Sequence, residues 1–98
     1  MKSSTDVIII EDNELLRDSL KEAINKSSSI RCESTFSSGE AALDIIEKEE
    51  LVPDIILLDI GLPGMNGIEM IPELRRLTPS SKIIIITVHY DDENVFNA

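Results

Sequence analysis

Three short blocks of the chain are aliphatic at every position, a pattern that predicts strands buried on both faces of a sheet. They are residues 7–10, 55–58 and 83–86. A fourth stretch, residues 30–36, alternates apolar and polar side chains, which favours an edge strand with one face in solvent. The pattern therefore predicts four strands.

Apolar residues at helical spacing lie between these blocks, and each intervening segment predicts an amphipathic helix. Asn13 is the expected N-cap of the first helix, and Ser37 or Ser38 that of the second. The third covers residues 67–77, where Pro72 is expected to kink or delay the helix. The side chains expected to face inward are Leu16, Leu20, Ala23 and Ile24 in the first helix, Ala41, Ala42, Ile45 and Ile46 in the second, and Ile68, Ile71 and Leu74 in the third.

The resulting order is βαβαβαβ, with residues 91–93 as an acidic first turn of another helix. Alternation at this pitch predicts an α/β fold, a doubly wound parallel sheet with helices on both faces. A length of 98 residues predicts one domain over residues 1–98.

Charge and composition exclude several classes of function. Nineteen acidic and nine basic residues give a net charge of −10, so we expect this segment to contact neither nucleic acid nor a membrane surface. No aliphatic run approaches the roughly 20 residues that a membrane helix needs. The single cysteine, Cys32, excludes an internal disulfide, and the first residues lack the pattern of an export signal. A cytoplasmic location is expected.

The candidate chemistry lies at the ends of the predicted strands. Glu11 and Asp12 follow the first strand, and Asp59 ends the third. Thr87 ends the fourth. Ligands of open parallel sheets bind beyond the carboxyl ends of the strands, near the point where the strand order reverses. We therefore expect these four side chains to converge at one edge.

Converging carboxylates need protons or a cation, because a pair about 4 Å apart costs about 4 kcal/mol at an effective dielectric near 20. Oxygen ligands without histidine or thiol favour Mg²⁺, which retains several waters and recruits a phosphate. The loop after Asp59 contains three glycines and a proline, so that a backbone carbonyl can reach the metal. A carboxylate placed like Asp59 and partly neutralised by Mg²⁺ can attack a phosphoryl donor and form an acyl phosphate, and the Thr87 hydroxyl could then donate to a phosphoryl oxygen.

This arrangement resembles the receiver domain of bacterial two-component response regulators. The matching residues are Glu11 and Asp12, Asp59 with the following Leu62-Pro63 and Asn66-Gly67, and Thr87. The resemblance implies a flavodoxin-like fold of strand order 2-1-3-4-5 and phosphorylation of Asp59 by a phosphohistidine of a sensor histidine kinase. It also implies Mg²⁺ as the cofactor and a signalling domain that catalyses only its own phosphorylation and dephosphorylation.

The resemblance also assigns roles to the site residues. Asp12 and Asp59 would ligate Mg²⁺ directly, Glu11 would act through water, and the backbone carbonyl of Gly61 would complete the protein ligands. Thr87 would be the switch hydroxyl that moves to meet the added charge of the phosphoryl group.

The family's domain runs about one βα unit longer than this sequence, with a lysine at the end of its fifth strand. The expected order is therefore 2-1-3-4, with the fifth strand and last helix missing from these 98 residues. An uncovered fourth strand, residues 83–86, is expected to pair with another copy of the chain. Receivers are commonly joined to DNA-binding or enzymatic domains, so transcription regulation is an expected output of the full-length protein.

Two other functions remain as alternatives. A small Mg²⁺-dependent phosphatase or phosphotransferase also presents an aspartate after a strand, but it usually needs a cap or a further catalytic acid. A degenerate adaptor that is not phosphorylated would not need the acidic pair at residues 11–12 together with Asp59. Taken alone, that pair would be ordinary acids at a helix start, favoured by the helix dipole.

Overall fold

The computed structural model of the protein describes residues 4–86, in which four strands and three helices alternate. The strands are β1 (Thr5–Ile10), β2 (Ile30–Phe36), β3 (Ile55–Asp59) and β4 (Lys82–Ile86). The helices are α1 (Glu14–Asn25), α2 (Gly39–Lys48) and α3 (Gly67–Leu77). None of these helices has the length and apolar character needed to cross a membrane. Thr87 and the helix predicted to start at 91–93 lie outside the described residues.

The four strands form one parallel sheet in the order β2-β1-β3-β4, which confirms the predicted flavodoxin-like arrangement of this part of the chain. β1 pairs with β2 on one side and with β3 on the other. The strand order therefore reverses at β1, and the crevice beyond the carboxyl ends of β1 and β3 is where such sheets bind ligands.

Both faces of the sheet are covered, as a doubly wound fold requires. α2 and α3 pack on one face, and α1 packs on the other. The larger core consists of Ile8, Ile10, Ala42, Ile46, Ile56, Leu58, Leu62, Met70 and Leu74. The smaller core is centred on Val7, Ile9 and Cys32, with the partly buried Leu20 and Ile24 of α1 against it.

The helices begin where the capping residues predict. Asn13 caps α1 by accepting the N–H of Leu16 at 2.9 Å, and Ser38 rather than Ser37 caps α2. α3 starts at Gly67 with a full capping box between Asn66 and Glu69. The delay expected from Pro72 is therefore wrong, because two reciprocal hydrogen bonds fix the first turn ahead of the proline.

Three predicted inward positions are exposed instead. Ala23 and Ala41 lie at the solvent side of their helices. In α3, Ile68 is 63% exposed and Met70 is fully buried in its place. Gly67 sets this orientation, because it faces the sheet in close contact with the end of β3, and the inward face then continues through Met70 and Leu74.

β4 differs from the other aliphatic strands. β1 is buried on both faces over residues 7–10, but Ile84 and Ile85 of β4 are 47% and 39% exposed. β3 is the only strand that pairs with β4 among residues 4–86. Burial on both faces was therefore a wrong prediction for β4, whereas the expectation of an uncovered fourth strand agrees with its place at the edge of the described sheet.

Candidate metal centre

The carboxyl ends of β1 and β3 bring three acidic side chains together. Ile10 pairs with Leu58, so the residues that follow them, Glu11 and Asp59, occupy neighbouring positions. One carboxylate oxygen from each of Glu11, Asp12 and Asp59 lies within 4.8 Å of the other two. The predicted convergence of these three residues is confirmed.

The three carboxylates differ in their access to solvent. Asp12 is exposed, whereas Asp59 is 7% exposed and Glu11 is fully buried. Oε2 of Glu11 accepts the N–H of Asn13 at 2.9 Å, but Oε1 is buried without a hydrogen-bond partner among the described residues. Leaving such an oxygen unsatisfied costs about 1–3 kcal/mol, so a donor or a cation bound at this position would stabilise the cluster.

Burial is the largest cause of the raised pKa of Glu11, which lies at about 7 rather than 4.5. The neighbouring carboxyls of Asp12 and Asp59 raise the pKa further, while the N–H of Asn13 opposes the shift. A cation among these oxygens would relieve both the desolvation and the repulsion. An all-oxygen set of this kind suits a hard ion such as Mg²⁺.

The turn after β3 fixes the carboxylate of Asp59. Its Oδ1 accepts the N–H of Gly61 at 2.9 Å, so the side chain is oriented by the backbone that follows it. Gly61 belongs to the segment whose carbonyl is predicted to reach the metal, and that role stays a prediction. Ile86, the residue before Thr87, pairs with Asp59, although Thr87 itself lies outside the described residues.

Gly67 allows α3 to start directly against the backbone of Asp59. A Cβ at Gly67 would lie 2.6 Å from the carbonyl oxygen of Asp59 and 2.7 Å from Cα of Ile60. Neither atom belongs to a flexible side chain, so the strand or the helix would have to shift. Glycine is therefore needed here for the close approach that keeps Asp59 in position.

Replacing Gly67 with alanine is expected to lower the free energy of unfolding by about 2 kcal/mol, because overpacking displaces backbone. Mg²⁺ binding should weaken at the same time, since Asp59 moves with that backbone. Urea denaturation and Mg²⁺ titration measure the two effects. The control is Gly61→Ala, where the new Cβ lies at an ordinary 3.6 Å from Asp59 Oδ1 and stability should change little. If Gly67→Ala were as stable as the wild type, the close contact of Gly67 with the backbone of Asp59 would be contradicted.

One contact near the site was not anticipated from the sequence pattern. Oε2 of Glu40, in the first turn of α2, accepts the N–H of Met65 in the loop between β3 and α3 at 3.2 Å. The only sequence signal for this contact is an acid at a helix start, which is also the common preference there. The periodicity that predicts α2 does not show which loop its first turn contacts.

A flavodoxin-like α/β domain with a carboxylate cluster beyond β1 and β3 is thus the class that the fold and the site define. Residues 7–98 match the family described as response regulator receiver domain. The chain belongs to this family, whose members generally bind Mg²⁺.

The relatives that this chain matches are longer proteins. Nitrate/nitrite response regulator protein NarL of Escherichia coli (strain K12) is 35% identical over 92 residues, which cover 94% of this chain and 42% of NarL. Protein-glutamate methylesterase/protein-glutamine glutaminase 2 of Paramagnetospirillum magneticum is 33% identical over 97 residues, or 97% of this chain and 26% of that protein. The chain therefore spans less than half the length of either relative.

Solved structures agree with this assignment. The signal receiver domain of NarL from Mycobacterium tuberculosis superposes with a TM-score of 0.77 at 26% identity, covering 97% of this chain and 75% of that one. Response regulators of this kind generally partner with sensor histidine kinases. The methylesterase shows that a longer protein with this domain can be an enzyme, which does not make the receiver domain itself one.

Proposed function

We propose that residues 1–98 form one receiver domain in which Asp59 accepts a phosphoryl group from the phosphohistidine of a sensor histidine kinase. The observation that supports this most directly is the carboxylate cluster, in which buried Glu11 has an oxygen that no residue of 4–86 hydrogen-bonds. Asp12 and Asp59 would hold Mg²⁺ directly, Glu11 through water, and Gly61 by its carbonyl. Bound Mg²⁺ would neutralise the carboxylates and the phosphoryl oxygens.

The proposed transfer is a displacement at phosphorus. A carboxylate oxygen of Asp59 forms the new P–O bond, the P–N bond to the histidine breaks, and the imidazole leaves with the electron pair and takes up a proton. The bond from Gly61 to Oδ1 of Asp59 holds the carboxylate in one orientation before the donor arrives. Without a cation, the charges of the cluster repel the phosphoryl group, so transfer should depend on the metal.

Thr87 completes the proposed switch. Its hydroxyl would donate to a phosphoryl oxygen, and the segment that carries it would move to meet the roughly two added negative charges. The pairing of Ile86 with Asp59 supports this proposal, since it brings the end of β4 beside the acceptor.

Metal titration followed by a small phosphoryl donor tests the function against its alternatives. We expect saturable Mg²⁺ binding and, with acetyl phosphate, the gain of one phosphoryl group per chain. Turnover of many equivalents of an unrelated phosphoester would instead indicate a phosphatase or phosphotransferase. A folded protein without affinity for Mg²⁺ would indicate a degenerate adaptor.

We further propose a cytoplasmic location and an output that depends on regions outside these 98 residues. Transcription regulation is the output we favour, although the methylesterase relative shows that an enzymatic output also occurs with this domain. The net charge of −10 supports the proposal that this segment itself contacts neither nucleic acid nor membrane. The domain acts on no substrate other than its own Asp59.

The edge of β4 supports a proposal of self-association. Ile84 and Ile85 are exposed there, and no strand among residues 4–86 pairs with the outer edge. We expect the chain to form dimers or larger species in light scattering, and Ile84→Lys to shift it towards monomer because a charge blocks edge pairing. Ile68→Lys, at another exposed isoleucine, is the control. A wild-type monomer at high concentration would contradict the proposal.

A further inference from the structure

We infer that Glu40 is a positioning residue for the phosphoacceptor site, because its carboxylate holds the loop between β3 and α3 (residues 60–66) in place. The inference rests on the proposed function of Asp59, since it concerns how the loop beside that residue is kept in the arrangement the site needs. Glu40 lies in α2, 25 residues before the loop residue it binds, and its role is to act through backbone rather than on the phosphoryl group.

The loop and the carboxylate of Glu40 have complementary shapes. Oε2 of Glu40 accepts the N–H of Met65 at 3.2 Å. The same oxygen lies 2.9 Å from the position that a Cβ on Gly64 would take. Gly64 has a φ of +70°, a left-handed conformation that glycine adopts without strain. Glycine at this position therefore provides both the turn and the space that the carboxylate occupies.

The start of α2 contacts the loop on both sides of Met65. The N–H of Met65 binds Glu40, and a Cβ at Gly39 would lie 3.3 Å from the carbonyl oxygen of Met65. Gly39 is also packed against Met70, whose sulfur would be 2.5 Å from such a Cβ. The first turn of α2 thus packs closely against the loop, and the Glu40 hydrogen bond joins the two across this contact.

The other anchors of the loop lie near its ends or in the core. Gly61 binds Asp59, and the side chain of Leu62 is buried. Asn66 takes part in the capping box of α3. Within residues 4–86, the hydrogen bond from Met65 to Glu40 is the one side-chain hydrogen bond that joins residues 60–66 to a helix or strand other than β3 and α3, which flank the loop. Its loss would release the middle of the loop while both ends remain attached.

Releasing the loop should weaken Mg²⁺ binding more than it lowers the stability of the fold. Glu40 is exposed and its hydrogen bond to Met65 lies at the surface, so its removal should cost the fold little. Gly61 would keep its hydrogen bond to Asp59, but it would lose the support that the middle of the loop receives through Met65, so the turn that carries its carbonyl would be held less firmly. Outer contacts that orient metal ligands typically contribute 10–100-fold to metal affinity, and we expect a loss of about tenfold at this exposed position.

The test compares Glu40→Ala, which removes the acceptor oxygen, with Glu40→Gln, which keeps one. Asp44→Ala is the control, because Asp44 is an exposed acid of the same helix that pairs with Lys48. For each variant we would measure the Mg²⁺ dissociation constant, the rate of phosphorylation by acetyl phosphate over a range of donor concentrations, amide exchange at Met65, and the thermal midpoint.

Glu40→Ala should bind Mg²⁺ about tenfold more weakly and show faster exchange at Met65, with an unchanged thermal midpoint. Its maximal phosphorylation rate at saturating Mg²⁺ should fall, with little change in the donor concentration for half-maximal rate. Glu40→Gln should retain most of the wild-type behaviour, and Asp44→Ala all of it.

Wild-type Mg²⁺ affinity and phosphorylation in Glu40→Ala would overturn the inference, as would an equal loss in Glu40→Gln, since charge rather than the hydrogen bond would then be responsible. A wild-type protein that takes up no phosphoryl group would instead overturn the proposed function. In that case the rate of amide exchange at Met65 in Glu40→Ala still decides whether Glu40 holds the loop. If Met65 were as protected from exchange in this variant as in the wild type, the holding role of Glu40 would be overturned as well.

Discussion

Replacing Asp59 with asparagine is expected to abolish covalent phosphorylation while the fold is retained. Asparagine has nearly the same shape, and its carbonyl oxygen can still accept the N–H of Gly61. It lacks the anionic oxygen that forms the P–O bond, so the reaction loses its nucleophile. After incubation with acetyl phosphate at saturating Mg²⁺, the intact mass of the wild type should rise by one phosphoryl group, and that of Asp59→Asn should not change.

Two controls separate this loss from indirect effects. Asp44→Asn makes the same chemical change at an exposed site of α2 and should be phosphorylated like the wild type. Hydroxylamine should release the phosphoryl group from the wild type, because an acyl phosphate reacts with it and a phosphate ester does not. A stoichiometric mass gain in Asp59→Asn, or a modification that resists hydroxylamine, would place the acceptor on another residue.

The convergence of Glu11, Asp12 and Asp59 could be predicted from the sequence because it depends on strand direction alone. Aliphatic blocks that are separated by helical segments predict parallel strands, and the carboxyl ends of parallel strands lie at one edge of the sheet. The residues that follow the blocks must then be neighbours, as the spacing within 4.8 Å confirms. That no described residue hydrogen-bonds Oε1 of Glu11 could not be predicted, because it depends on the position of single atoms.

The inward face of α3 could not be predicted, because helical periodicity does not fix how the helix is rotated about its axis relative to the sheet. Ile68 and Met70 are both apolar, and either could belong to a stripe that includes Leu74. The close approach of Gly67 to Asp59 decides between them, and that contact joins two elements that the periodicity of α3 does not relate. The contact between Glu40 and Met65 is another case, since it links positions 25 residues apart.

The exposure of β4 shows that, for strands as for helices, a local sequence pattern does not determine which side chains are buried. Its isoleucines have the composition of a strand buried on both faces, and the strand itself is confirmed. Burial, however, also requires neighbours on both sides, and the described sheet provides one on only one side of β4. A local pattern reports what a strand would bury and cannot report which neighbours are present.

Removing the charge of Glu11 is expected to stabilise the metal-free protein above pH 7. The pKa of Glu11 is about 7 in the folded protein and 4.5 as its ordinary value, so the folded state binds the proton more tightly. The resulting stabilisation is fully present below pH 4.5 and is lost as the pH rises through 7. At 1.36 kcal/mol per pKa unit, the loss between pH 4.5 and pH 8 is about 2 to 3 kcal/mol.

Urea denaturation in EDTA between pH 4.5 and pH 8 measures this effect. The wild type should lose stability over this range, whereas Glu11→Gln should lack this contribution and be the more stable protein at pH 8. Burial raises the pKa of the Cys32 thiol above 9.0, so that group stays protonated in the whole range. Glu22→Gln, at an exposed acid of α1, should follow the wild type. A Glu11→Gln profile that matches the wild type would show that Glu11 is not the responsible group.

Magnesium should reverse the loss in the wild type, because the metal and the proton on Glu11 compete for the same negative charge of the cluster. Mg²⁺ affinity should therefore rise with pH from 5 to 8, and the free energy of unfolding at pH 8 should increase by about 2.7 kcal/mol when Mg²⁺ is at 100 times its dissociation constant. Glu11→Gln should gain less at the same Mg²⁺ concentration. Glu11 would then lower the stability of the metal-free domain and favour its metal-bound form, which is the form that the proposed phosphorylation of Asp59 requires.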